Sequence, residues 1–157
     1  MSDFPLVEGS VGDVSVIRRA VAEYKISAVM HFASFINVGD SVHAPAEYYR
    51  NNVAEGVSLI AALKGCGVRR FILSSTCAVY GAVEGVRALT ESDKIAPLNP
   101  YAHAKRMLEI VLTDMAHAGE MDSVIFRYFN AAGAAASNET GEWHEPETHL
   151  IPNLLRS

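Results

Sequence analysis

The amino-acid sequence predicts an α/β fold built around a doubly wound parallel β-sheet. Short apolar runs alternate with longer amphipathic stretches along most of the chain, as in a parallel sheet flanked by helices. The runs are nearly continuous in apolar residues, which is typical of strands buried on both faces. The chain has 157 residues, 50% of them hydrophobic and 20% charged, so it is long enough to bury the core of one domain.

Four segments are predicted as strands. The first is Phe4–Glu8, and Ala28–Ala33 is a short apolar strand of the buried, parallel kind. Arg70–Ser75 and Ser123–Tyr128 follow. Because helical patterns separate these segments, we expect them to form one parallel sheet.

Three helices are predicted between the strands. The first spans Asp13–Lys25, and the second runs from Pro45 to about Lys64. The third begins at Pro100, because Asn99 before it is a good N-cap and proline suits the first helical position. Irregular loops are expected at 83–99 and from 131 onward.

The composition excludes several classes of function. Lysine and arginine number 13 and acidic residues 18, a net charge of −5, so nothing favours binding to nucleic acid or to an anionic membrane. Cys66 and Cys77 have no zinc or redox spacing and indicate a reducing compartment. Neither an export leader nor an apolar stretch of about 20 residues is evident, so we expect a cytoplasmic protein.

Polar side chains cluster where the predicted strands end. The segments 31–34, 74–76 and 129–130 follow three strands in turn. Ligands of such sheets bind outside the carboxyl ends of the strands. The helix that carries Tyr101 and Lys105 follows the strand ending in Ser74-Ser75-Thr76, so both side chains are expected at this edge.

Tyr101 and Lys105 suit the removal of a proton from an alcohol. Their four-residue spacing places them on one helical face. A nearby ammonium stabilises phenolate and lowers the phenol pKa from its ordinary value of about 10. A hydroxyl from Ser75 or Thr76 would position the substrate oxygen. The alternative is a surface tyrosine–lysine contact, which this short motif taken alone would favour.

Six segments carry a resemblance to a known family: HFASFINVGDSV, AEYYRNNV, FILSSTCAVYG, NPYAHAK, FRYFNAAGA and ETHLIP. In this order they resemble the extended short-chain dehydrogenase/reductase superfamily, and within it the UDP-glucose 4-epimerases. The tyrosine–lysine motif is shared across the superfamily. The first, second, fifth and sixth segments are more particular to the sugar-nucleotide 4-epimerases.

The resemblance implies a reaction and three catalytic residues. Tyr101 would be the base, Lys105 its partner and the holder of the nicotinamide ribose, and Thr76 the hydrogen-bonding partner of the sugar hydroxyl. The implied reaction interconverts UDP-galactose and UDP-glucose. Tightly bound NAD oxidises the sugar C4, and the ketone turns over and takes hydride back on its other face. Family members are often homodimers.

Binding residues are also implied by the resemblance. The cofactor-binding positions are Ser10, Val11, Phe32, Ala33, Ser34, Asn51, Tyr101, Lys105 and Phe129. The substrate-binding positions are Thr76, Asn130, His149 and Leu150. Ser10 replaces an aspartate that usually contacts adenine, and Ile36 replaces a frequent lysine, which weakens the adenine and pyrophosphate contacts.

Parts of the implied fold are missing from this sequence. Gly9–Ser15 lacks the third glycine of a dinucleotide-binding turn. We therefore expect a partial Rossmann-type sheet that lacks the N-terminal Gly-rich βαβ unit and most of the C-terminal substrate region. Residues 1–130 would be part of the NAD-binding domain and residues 131–157 the start of the substrate region. Such an internal piece is expected to be inactive alone.

The family's strand order makes this gap central. In the order 3-2-1-4-5-6, the missing first strand lies beside the fourth, which is Ala28–Ala33 here. That strand would expose an apolar edge, against which Phe4–Glu8 is available to pair.

Some residues have a structural interpretation that competes with function. His31 is interpreted as a strand-end histidine and Cys77 as a packed small residue without an activating partner. Asn51 and Asn52 are poor helix formers, so a non-helical demand such as hydrogen bonding to a cofactor would explain them. No metal is expected at a polar group without a recognised ligand motif: His144, Glu145, Glu147 and His149.

Two other functions remain open. The chain could belong to a sugar-nucleotide dehydratase or reductase of the same superfamily. A dehydratase would be favoured by an acidic residue after Thr76, where Cys77 stands instead. A non-catalytic remnant or interaction module is supported by the missing Gly-rich loop.

Overall fold

The computed structural model describes residues 4–137, 139–141, 144–145, 147 and 149–156. The helices are α1 (Val14–Tyr24), α2 (Val38–His43), α3 (Pro45–Tyr48), α4 (Glu55–Gly65), α5 (Pro100–His117) and α6 (Leu150–Arg156). The strands are β1 (Ala28–His31), β2 (Arg70–Thr76) and β3 (Asp122–Tyr128). A π-helical segment (Tyr49–Ala54) joins α3 to α4, and a 3-10 turn (Cys77–Tyr80) follows β2.

The three strands form one parallel sheet in the order β1-β2-β3, which confirms the predicted fold class. Ala28 of β1 pairs with Arg70 of β2, and the register continues to His31 and Leu73. The predicted strands in β2 and β3 are confirmed, whereas β1 ends two residues earlier than predicted. β1 is an edge strand of the described sheet, and its Met30 is 57% exposed.

The predicted strand at Phe4–Glu8 is wrong. This segment forms neither helix nor strand, and Phe4 and Leu6 are each 84% exposed. Pro5 has no N–H to donate to a neighbouring strand, which weakens the short segment as a pairing partner. The edge of β1 is therefore not covered by Phe4–Glu8.

The predicted helices at Asp13–Lys25 and from Pro100 are confirmed as α1 and α5, but the helix from Pro45 is not continuous. It divides into α3, the π-helical segment and α4. No sequence pattern indicated α2, which begins after Asn37, whose side chain accepts a hydrogen bond from the Asp40 N–H.

The hydrophobic core lies where α4 and α5 cover β2. It includes Leu59, Leu63, Phe71, Leu73, Leu108 and Leu112, all buried. Gly56 of α4 permits close approach of α5, because a Cβ at this position would lie 3.0 Å from both terminal methyl carbons of Leu108. The packing fixes α5 against β2, and that contact positions the polar residues described below.

The chain divides into two compact units, Met1–Arg127 and Tyr128–Ser157. The second unit holds an antiparallel bridge between Ala134 and Gly141 and the helix α6, which the sequence pattern did not predict. Among the described residues, the helices are all too short or too polar to span a membrane.

We expect Leu108→Ala to lower the free energy of unfolding by about 2–5 kcal/mol, because it leaves a cavity between α4, α5 and β2. Ile110→Ala on the exposed face of the same helix is the matched control, since Ile110 is 43% exposed. Urea denaturation of both variants checks this. Equal losses of stability would contradict the proposed packing of α5.

Candidate active site

The carboxyl end of β2 and the first turns of α5 form the candidate active site. The Asn99 side chain accepts a hydrogen bond from the Ala102 N–H at 2.9 Å, and Pro100 occupies the first helical position. The predicted cap is therefore confirmed, and it fixes where α5 begins. Tyr101 and Lys105 follow on consecutive turns of one face.

Lys105 connects three segments through a buried ammonium. The residue is 2% exposed, and its Nζ donates to Ser34 Oγ and to the Ser74 carbonyl oxygen, both at 2.8 Å. Burial lowers the pKa of Lys105 to about 8. Nζ also lies 5.9 Å from the centre of the Tyr101 ring. The ammonium thus joins α5 to the end of β2 and to the segment after β1.

Tyr101 differs from the sequence prediction in the direction of its pKa. Burial raises the pKa of the phenol. The nearby Thr76 side chain acts to lower this pKa, but its effect is smaller than that of burial, so the pKa lies above its ordinary value. The predicted lowering by Lys105 is therefore not the dominant effect in the chain alone. The structure does bring Thr76, Tyr101 and Lys105 together, as predicted.

Asn52 fixes the segment after β1, a role that the sequence pattern indicates only indirectly. Asn52 is fully buried; its side chain accepts from the Phe35 N–H at 2.8 Å and donates to the Phe35 carbonyl oxygen at 2.9 Å. Asn51 donates to the Asn52 side chain at 2.8 Å. Asn52 is explained by its hydrogen bonds to the Phe35 backbone, not by a cofactor. In the sequence, the indication of a non-helical role was two adjacent asparagines within a helical pattern.

Three of the predicted cofactor-binding residues line one cavity. Val11, Phe32 and Ala33 are among the residues that line a mainly apolar space of about 300 Å³, as is His31. Ser10 is engaged elsewhere: its hydroxyl donates to Glu55 Oε2 at 2.6 Å and accepts from the Gly12 N–H at 3.0 Å. Val11 thus borders the cavity, while the Ser10 hydroxyl is held by Glu55 and Gly12, and the cofactor-binding roles of both stay predictions.

Glu109 is a buried carboxylate that the sequence analysis did not single out. It accepts hydrogen bonds from Ser75 Oγ at 2.5 Å, from Arg106 at 3.0 Å and from two Arg127 nitrogens at 3.1 and 2.9 Å. Burial acts to raise the pKa of Glu109, but the bonds from Arg127, Ser75 and Arg106 together lower it. The available signal was an acidic residue four positions after Lys105, on the buried face of α5.

His31 and Cys77 keep their structural interpretations. His31 Nε2 is buried without a hydrogen-bond partner in the described part of the chain, and burial followed by the nearby Lys105 charge lowers its pKa to about 4. His31 is therefore neutral near pH 7. Burial raises the pKa of the Cys77 thiol, which disfavours the reactive thiolate.

The remaining predicted residues lie in the second unit. Phe129 and Asn130 directly follow β3, Leu150 begins α6, and His149 precedes it. The Glu147 side chain accepts from the His149 N–H at 2.9 Å. Donor atoms of His144, Glu147 and His149 lie within 4.8 Å of one another, a grouping that could hold a cation. The absence of a metal stays a prediction, as do the substrate-binding roles.

Comparison with known proteins places this geometry in a family. Residues 2–157 match the NAD dependent epimerase/dehydratase family, and the chain belongs to it. The chain is 43% identical over 148 residues to the UDP-glucose 4-epimerase of Rhizobium leguminosarum bv. trifolii, covering 94% of this chain and 45% of that protein. It is 45% identical over 147 residues to the UDP-glucose 4-epimerase of Rhizobium meliloti, covering 94% and 44%.

Solved structures show the same likeness. The UDP-glucose 4-epimerase from Brucella ovis in complex with NAD superposes with a TM-score of 0.88 at 43% identity, over 94% of this chain and 45% of that chain. The enzyme from Bifidobacterium longum in complex with NAD⁺ and UDP gives a TM-score of 0.81 at 36% identity, over 87% and 41%. The chain thus spans less than half the length of these relatives.

We expect the Lys105 ε-carbon to titrate near pH 8 in protein labelled with ¹³C-lysine, because the ammonium is desolvated. The folded pKa lies below the ordinary 10.5, so folding favours neutral lysine. Between pH 10.5 and about 8 the unfolded chain therefore binds the lysine proton before the folded chain does, so the free energy of unfolding falls as pH is lowered through this window and rises again as pH is raised through it.

Lys105→Met is the control, since the difference between the two stability profiles isolates this group. A Lys105 carbon that titrates at its ordinary 10.5 would show that the ammonium is hydrated rather than buried.

Proposed function

We propose that the chain supplies the catalytic residues of a UDP-sugar 4-epimerase that interconverts UDP-galactose and UDP-glucose with tightly bound NAD. The observation that carries the proposal is the meeting of Tyr101, Lys105 and Thr76 at one edge of a parallel sheet. Ligands of such sheets bind at this edge. Relatives of 43% and 45% identity that bear the name UDP-glucose 4-epimerase support the choice of reaction.

The described residues fit part of a bound NAD. Val11, Phe32 and Ala33 offer an apolar wall against which a planar ring of the cofactor would pack. Lys105 has three N–H donors, of which the described residues engage two, so one is free for a ribose hydroxyl. The sequence contains no Gly-rich turn for the pyrophosphate, and we therefore propose that the 157-residue chain alone binds NAD weakly and is inactive.

A bound NAD would supply the hydride acceptor for the sugar C4 and the hydride donor for the opposite face of the ketone. The chain's residues manage the proton of that step. Tyr101 as phenolate would accept the proton of the C4 hydroxyl and later return it, while the Thr76 hydroxyl would hold the sugar oxygen in place. The Lys105 ammonium would stabilise the phenolate against the burial that raises the Tyr101 pKa.

We further propose that residues of the second unit recognise the UDP-sugar. Phe129 would lie beside the nicotinamide, and Asn130, His149 and Leu150 would hold the UDP-sugar. Ser34 and Asn51 would complete the cofactor contacts. We accordingly propose residues 1–130 as part of the NAD-binding domain and residues 131–157 as the start of the substrate region.

A dehydratase is the less favoured function. Elimination needs an acid and a base beyond the tyrosine, and Cys77, with its raised pKa, stands directly after Thr76. A dTDP-glucose 4,6-dehydratase from Streptomyces venezuelae is similar in structure, with a TM-score of 0.71, but at only 27% identity.

Tyr101→Phe tests the proposal in a chimera in which this chain replaces the matching segment of the Rhizobium meliloti UDP-glucose 4-epimerase. Loss of the proton acceptor should lower kcat for UDP-galactose by about 10²–10⁴-fold. Tyr24→Phe removes a hydroxyl from a half-exposed tyrosine of α1 and should leave kcat unchanged. Activity of Tyr101→Phe within a few-fold of the parent would contradict the assignment.

A further inference from the structure

α5 and β2 meet in three successive contacts. Tyr101, Lys105 and Glu109 lie four residues apart on one face of the helix. Each lies against a different residue at the end of the strand: the Thr76 side chain lies beside Tyr101, the Ser74 carbonyl oxygen accepts from Lys105, and Ser75 donates to Glu109. Two of these contacts carry the proposed proton transfer, and the third has no chemical role in it.

The third contact is the strongest anchor of the three. Glu109 is 1% exposed, and three different side chains donate to its carboxylate. Two Arg127 nitrogens on β3 hold it side-on, and Tyr80 accepts a hydrogen bond from Arg127 at 2.9 Å on the far side. A carboxylate bound by two arginines and a serine hydroxyl has little freedom to move. It therefore offers Ser75 a fixed point.

Ser75 lies between the two residues that matter for the chemistry. The Ser75 side chain faces α5, where Glu109 accepts its hydrogen bond. Holding the Ser75 side chain fixes the rotation of the strand at this point. That rotation decides whether the Ser74 carbonyl oxygen meets Lys105 and whether Thr76 faces Tyr101.

We propose that Glu109 is the positioning residue of this site: through Ser75 it sets the end of β2 so that Thr76 and the Ser74 carbonyl meet Tyr101 and Lys105. The catalytic meaning of this role rests on the proposed 4-epimerase function. The geometric role belongs to the chain itself and can be measured without turnover.

Ser75→Ala tests the link, because it removes the Ser75 hydroxyl and leaves the Glu109–Arg127 ion pair in place. In the chain labelled with 3-fluorotyrosine, whose phenol ionises at lower pH, ¹⁹F resonances report each phenol, and Tyr101→Phe assigns the Tyr101 signal. A Thr76 contact that is loosened should raise the Tyr101 pKa by about 0.5–1 unit, equivalent to part of one hydrogen bond.

Tyr80→Phe is the matched control, since it removes a hydroxyl from the same network and leaves the Ser75–Glu109 hydrogen bond in place. It should leave the Tyr101 pKa unchanged. A second variant, Glu109→Gln, should shift that pKa at least as far as Ser75→Ala, and Ser75→Ala decides the matter should Glu109→Gln not fold. An unchanged pKa in Ser75→Ala, or equal shifts in Ser75→Ala and Tyr80→Phe, would overturn the proposal.

The chimera separates this proposal from the proposed function. There Ser75→Ala should lower kcat for UDP-galactose by about three- to tenfold with KM unchanged, in line with the loss of one positioning bond. A Tyr101 pKa shift in the chain together with an inactive parent chimera would overturn the function and support the positioning role. An active chimera whose kcat does not respond to Ser75→Ala would overturn the positioning role and leave the function intact.

Discussion

The burial of two opposite charges on one face of α5 constrains the rest of this structure. Lys105 and Glu109 are almost completely buried, and a buried charge is tolerated only when partners replace its hydration. Lys105 finds them in Ser34 and the Ser74 carbonyl oxygen, and Glu109 finds them in Ser75, Arg106 and Arg127. Apart from Arg106, which lies on α5 itself, these partners lie after β1, at the end of β2 and on β3, so both charges require the strand ends to lie where they do.

This constraint explains why the phenol of Tyr101 lies where chemistry can use it. Burial raises its pKa, which is unfavourable for a base. The same burial places it 5.9 Å from a desolvated ammonium, whose attraction for phenolate is stronger in a low dielectric than in water. The proposed activity therefore depends on a site that excludes water and still retains a positive charge.

Much of the fold could be predicted from the sequence, because its signals are local. Alternating apolar runs and helical patterns located β2, β3, α1 and α5, and Asn99-Pro100 located the start of α5. Tyr101 and Lys105 could be identified as a pair because residues four positions apart lie next to each other on one face of a helix.

The rest depends on contacts that a linear pattern does not contain. Phe4–Glu8 has the composition of a strand, but a strand also needs a partner, and the described sheet does not pair with it. Asn52 interrupts a helical pattern because its side chain binds the backbone of Phe35, which lies 17 positions earlier. Glu109 can be buried because Arg127, 18 positions later in the chain, donates hydrogen bonds to its carboxylate. A polar residue is ordinarily expected at the surface, so the buried structural roles of Asn52 and Glu109 could be recognised only from their contacts in the folded chain.

The most direct test of the account is the fate of hydrogen at C4 of the sugar. The chimera would convert UDP-galactose carrying deuterium at C4, and the UDP-glucose formed would be analysed by mass spectrometry and NMR. In the proposed reaction the same hydride leaves C4 and returns to it, and Tyr101 accepts and returns only the hydroxyl proton. We therefore expect the deuterium to be retained at C4. Replacement of deuterium by solvent hydrogen at C4 would contradict the proposed roles of Tyr101, Lys105 and Thr76.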